Sequence, residues 1–94
     1  MIYWTEQAVD QLDRAEQYIA LSNSEQVAAN VAGNIANQVQ QLMAFPLLGR
    51  PGRVAGTREL VISNMPFIVA YKVQAQNIVV LALYHGAQRW PDMF

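Results

Sequence analysis

The sequence predicts an α+β domain in which an antiparallel helical hairpin packs on a mostly antiparallel β-sheet. Three observations predict it. Apolar residues recur at helical spacing over two neighbouring segments in the first half of the chain. Three short β-branched and aromatic runs with brief connections fill the second half. A loop punctuated by proline and glycine, "PLLGRPGRVAG", divides the two. Helices followed by strands in this way form two layers around one core.

The elements come in order. "MIYW" reads as a short strand, and Thr5 is placed to cap the first helix. From Glu6 to about Leu21, Ala8, Val9, Leu12, Ala15 and Ile19 make one helical stripe, with Asp10, Asp13, Arg14 and Gln17 on the wetter side. "SNSE" punctuates the chain. Ser22 with Glu25 fits a capping box, and Ser24 is a competing cap. A second helix is expected to about Ala44, with Val27, Val31, Ile35, Val39, Leu42 and Met43 as its stripe. Beside that stripe Ala28, Ala32 and Ala36 repeat every four residues, small enough for the first helix to approach. The short link makes the pair an antiparallel hairpin, and Pro46 stops the second helix.

"TRELVI", "FIVAYKV" and "NIVVLALYH" read as strands of an antiparallel meander, joined by "SNMP" and "QAQ". Simple alternation sets Phe67, Val69, Tyr71 and Val73 against Ile68, Ala70 and Lys72. It likewise sets Val79, Leu81 and Leu83 against Ile78, Val80, Ala82 and Tyr84. Both faces are then largely apolar, and a helical hairpin covers one. The other face is expected to be covered by the tail "GAQRWPDMF", by a partner chain, or by both. The order strand, helix, helix, strand, strand, strand spans residues 1–94 as a single domain.

A chain 53% hydrophobic and 14% charged has ample surface to bury, which argues against disorder. Charge is unevenly placed. Residues 1–30 carry Glu6, Asp10, Asp13, Glu16 and Glu25 against Arg14 alone, whereas the rest is mildly basic. One lysine and a net charge of −1 are thin support for a broad nucleic-acid footprint. With no cysteine and one histidine, no disulfide framework, transition-metal site or cofactor is expected. No signal peptide and no apolar run of membrane-spanning length is visible, so the expected location is the cytoplasm, away from membranes.

"WTEQAVDQLDRAEQYIA", "FPLLGRPGRVAGTRELVI", "PFIVAYKV" and "LYHGAQRWP", in this order and over nearly the full length, resemble toxins of the RelE/ParE superfamily of bacterial type II toxin–antitoxin modules. The resemblance implies two helices against a curved antiparallel sheet and a cognate antitoxin that wraps the toxin. It also implies one of two targets. RelE-like members cut messenger RNA on the ribosome, and ParE-like members poison DNA gyrase. The basic strand positions of the nuclease pattern fall here on Glu59, Val61 and Ile68, which cannot clamp a phosphate. The reading is therefore of a ParE-like toxin, a non-enzymatic gyrase inhibitor. The alternatives are a ribosome-dependent mRNA endonuclease and a non-toxic homologue that only binds antitoxin.

Chemistry selects the candidate residues. Arg50, Arg53 and Arg58, three of the five arginines, crowd the glycine-rich loop and the strand after it. With Arg89 and Trp90 they are the expected target-binding surface, since exposed loops carry recognition and Arg and Trp anchor interfaces. Each has a plainer reading: solvated cations for Arg50 and Arg53, an ion pair to the helical hairpin for Arg58, a core plug for Trp90. Under the nuclease alternative His85 is the acid or base, with Arg58 or Arg89 on the phosphate. Tyr71 and Tyr84 would then stack on a base; otherwise they pack.

Overall fold

A computed structural model describes residues 1–86. Strand β1 (Ile2–Trp4) leads into helix α1 (Glu6–Ser22) and helix α2 (Glu25–Gln40), which tightens into a 3₁₀ turn at Gln41–Met43. Strands β2 (Arg50–Pro51), β3 (Arg58–Val61), β4 (Phe67–Gln74) and β5 (Asn77–His85) complete the sheet, ordered β1-β5-β4-β3-β2. All neighbours are antiparallel except β1, which runs parallel to β5. The α+β architecture is the one the sequence predicts.

Both caps are side-chain oxygens. Thr5 Oγ1 accepts from the Ala8 N–H at 3.1 Å, and Ser24 Oγ accepts from the Val27 N–H at 3.1 Å. Ser22 is not the cap: it ends α1 and donates its hydroxyl to the Tyr18 carbonyl. Two further expectations are corrected. The α-helix ends at Gln40 rather than Ala44, because the last turn closes with tighter bonds before Pro46. The loop from Pro46 to Gly56 contains the two-residue strand β2, which no local propensity announces.

The larger correction concerns the sheet faces. Ala70 pairs with Ala82 but Tyr71 pairs with Val80, so Leu81 is an extra residue on β5. This bulge reverses the alternation of β5. Ile78 and Val80, then Leu83, face the helices with Leu60, Val69 and Tyr71, and they pack on Ala8, Ile35, Val39 and Leu42. Ala82 and Tyr84 turn to the other face and cluster with Ala70. The expectation that the tail covers this face concerns residues 87–94, which lie outside the described residues.

Helix α1 docks on the bulge itself. Past Trp4, β1 no longer covers the edge of β5, whose polar groups would be orphaned. The Thr5 N–H donates to the Val80 carbonyl at 3.0 Å, and the Thr5 hydroxyl to the Leu81 carbonyl at 3.1 Å. The Leu83 N–H donates to Gln11 Oε1 at 2.8 Å. Three contacts from α1 and its cap thus finish an open strand edge and fix where the helical hairpin sits.

Candidate functional site

The stretch from Gly49 to Glu59 is a stapled β-hairpin. Arg50 pairs with Glu59 and Pro51 with Arg58, and the Gly52 N–H donates to the Thr57 carbonyl at 2.8 Å. Gly56 takes φ +79°, a left-handed turn conformation that glycine adopts without strain. Thr57 closes the tip by donating its N–H and its hydroxyl to the Val54 carbonyl.

Glu59 holds the hairpin to the sheet. Its side chain is 3% exposed, and a buried carboxylate must be paired and hydrogen-bonded. Oε1 accepts from Arg50 Nε at 3.0 Å and lies 2.9 Å from a terminal guanidinium nitrogen of the same residue. Oε2 accepts from the Arg53 backbone N–H at 3.0 Å. Arg58 plays a similar part on the opposite side. Its Nε donates to the Gly49 carbonyl at 2.9 Å and a terminal nitrogen to the Leu47 carbonyl at 3.3 Å. An ion pair to the helical hairpin, the plainer reading of Arg58, is replaced by this tie between strand and loop. Tyr71, fully buried, is a third tie: its hydroxyl accepts from the Gly49 N–H at 2.9 Å and donates to the Pro46 carbonyl at 2.7 Å. Tyr71 therefore packs and braces the loop.

His85 lies elsewhere. It ends β5 opposite Phe67, with the two rings edge to face at 5.7 Å and 79°. Arg58 sits opposite Tyr71, four residues along β4 from Phe67, which is roughly 13 Å of strand. The structure brings Arg50, Arg53 and Arg58 together and leaves His85 apart from them. Arg89 and Trp90 lie outside the described residues. Among the described residues no group of acidic or histidine side chains could hold a metal ion, and no helix is long and apolar enough to cross a membrane.

His85 instead stands at the rim of a groove of about 770 Å³ between the helical hairpin and the ends of β4 and β5. Ala15, Ile19, Val27, Val31, Phe67 and Leu83 line it, with Gln11, Arg14 and Asn23 among its polar groups. Its helical walls come from the second half of α1 and the first half of α2. Sequence reasoning found these residues as core; it did not find that they stay partly uncovered. It also missed Glu59 as the hub of the loop. The available signal was one carboxylate set beside three arginines between residues 50 and 59.

Tyr84, on the opposite face, has its phenol pKa raised above the ordinary value, first by burial; a hydrogen bond with the Gln11 side chain pulls partly the other way. The unfolded chain therefore releases this proton first. Tyr84 stabilises the fold fully below pH of about 10, and that contribution is lost as pH rises through the folded value. Melts from pH of about 9 to about 11 should show a weaker loss of stability in Tyr84→Phe than in the parent. Equal alkaline slopes would contradict this account.

The layout is a compact sheet with a helical hairpin, an open apolar groove and a loop braced through Glu59, Arg58 and Tyr71. The family described as "ParE toxin of type II toxin-antitoxin system, parDE" matches residues 2–90, and the chain belongs to that family. A Sinorhizobium fredii (strain NBRC 101917 / NGR234) protein named "Putative toxin Y4kP" is 36% identical over 92 residues, covering 98% of this chain and 94% of the relative. A solved chain described as "Chromosomal ParDE TA system from P. aeruginosa" superposes with a TM-score of 0.82 at 27% identity. That match covers 89% of this chain and 92% of the other.

Proposed function

We propose that this chain inhibits growth by binding DNA gyrase and stalling it on cleaved DNA, and that a cognate antitoxin seated in the apolar groove neutralises it. The observation that carries the first half is the fate of the positions where a ribonuclease would hold phosphate. Glu59 is buried and engages Arg50, Val61 is an exposed aliphatic, and Ile68 is packed. His85 is roughly 13 Å along the strand from Arg58, whose guanidinium is bonded to the Leu47 and Gly49 carbonyls instead. Binding without covalent chemistry fits these residues better than acid–base cleavage. The groove supports the second half, because an apolar trough of this size beside a helical hairpin suits the apolar face of a partner segment.

Brief induction of the chain alone in bacteria tests the target. Gyrase-linked DNA breaks with intact message are the expected result. Rapid message cleavage with normal supercoiling would overturn the gyrase reading and return attention to His85.

A further inference from the structure

The turn that joins the 3₁₀ segment to β2 exposes three large apolar side chains in four residues. Phe45 is 64% exposed, Leu47 69% and Leu48 51%. Side chains of this kind normally collapse onto the nearest core, but here the backbone beneath them is fixed. The Phe45 N–H donates to the Gln41 carbonyl and the Leu48 N–H to the Phe45 carbonyl. Tyr71 takes the Pro46 carbonyl and the Gly49 N–H, and Arg58 takes the carbonyls of Leu47 and Gly49. A turn tied at Pro46, Leu47 and Gly49 cannot fold its side chains inward without breaking these bonds. The backbone that carries its apolar groups is thus fixed before any partner arrives, which lowers the entropy cost of binding.

The charge beside them is net positive. Arg50, Arg53 and Arg58 lie on the adjoining hairpin against one carboxylate, Glu59, which is buried and pairs with Arg50, while Arg58 keeps its charge as it bonds backbone carbonyls. The surface therefore presents apolar anchors next to guanidinium groups. A phosphate backbone would leave Phe45, Leu47 and Leu48 against a hydrated, charged strand with nothing to bury them. A protein surface with an apolar depression edged by carboxylates matches both halves.

We propose that Phe45, Leu47 and Leu48, with the β2–β3 hairpin, form the surface that grips the cellular target, and that this target surface is an acidic, apolar patch of protein. The inference rests on the reading that the chain is a toxin acting through a protein target. It extends that surface to residues that carry no charge and separates it from the groove.

The test induces Leu47→Asp and Leu47→Lys separately, and Phe45→Ser with Leu48→Ser as a pair, beside the parent. Phe45, Leu47 and Leu48 all face solvent, so thermal midpoints should stay near that of the parent. Growth inhibition should fall at least about tenfold in every variant, the loss that about 1.4 kcal/mol of binding represents, while capture of the co-expressed antitoxin is unchanged. Growth inhibition close to that of the parent, in a folded variant, would overturn the proposal. So would loss of antitoxin capture with toxicity kept. Inhibition kept by Leu47→Lys but lost by Leu47→Asp would also overturn it, because charge rather than apolar burial would then carry the contact. Should one variant fail to fold, the others decide. Scoring gyrase-linked breaks in the parent keeps the questions apart. Their absence would reject gyrase, while the variants would still report on the surface.

Discussion

Gly49→Ala is expected to lower the thermal midpoint by roughly 8–24 °C, the shift that about 2–3 kcal/mol of overpacking produces in a domain of this size. A Cβ at this position would sit 2.7 Å from the Tyr71 ring and hydroxyl and 2.8 Å from the Glu59 carbonyl oxygen. Neither neighbour can give way. The carbonyl belongs to the β2–β3 ladder, and the Tyr71 hydroxyl is held between Pro46 and Gly49. Gly33 provides the internal control. A Cβ added there, in the middle of α2, would meet nothing within 4 Å, so Gly33→Ala should stabilise by about 0.5–1 kcal/mol through helix propensity. Equal midpoints for Gly49→Ala and the parent would show that the loop is not braced as described.

Val27→Glu carries the second large effect. Val27 lies on the groove wall and is 39% exposed, so the fold tolerates a longer polar side chain there. It is in the first turn of α2, where a negative charge is favourable. An antitoxin segment that lays its apolar face in the groove would have to desolvate the new carboxylate. A penalty of about 3 kcal/mol weakens binding by about 100-fold. The expected result is a folded toxin that no longer co-purifies with its antitoxin and arrests growth even when both are expressed. Parent-like capture would place the antitoxin somewhere other than this groove.

Much of this architecture was legible in local sequence. The helices announce themselves because their stripes persist over several turns and because Thr5 and Ser24 are strong caps. The strands are legible because their β-branched runs are long and their connections short. The bulge at Leu81 was not, since "IVVLALY" is apolar at every position and alternation within it carries no information. Only the end of β1 at Trp4, and the need of β5 for partners beyond it, reveals why the phase changes there. The three arginines of the hairpin were visible as a cluster, but their roles were not. Whether a guanidinium faces a partner or braces a loop depends on what lies opposite it, and for Arg58 that is the backbone of Leu47 and Gly49. Glu59 was legible as a departure from a nuclease pattern; its burial, which explains the departure, comes from the sheet.

The parallel pairing of β1 with β5 also has a consequence for synthesis. Thr5, at the end of the first strand, bonds Leu81, 76 residues later. At about 5–20 residues per second, a ribosome needs roughly 4–15 s to deliver that partner. The helical hairpin, built from local contacts, can assemble during this interval, whereas the sheet cannot close until the last strand has emerged. The nascent chain therefore spends seconds with its helical stripes made and their sheet still missing. Ile2, Tyr3 and Trp4 are translated long before their partner strand and dock only when it arrives, which ties completion of the fold to completion of β5.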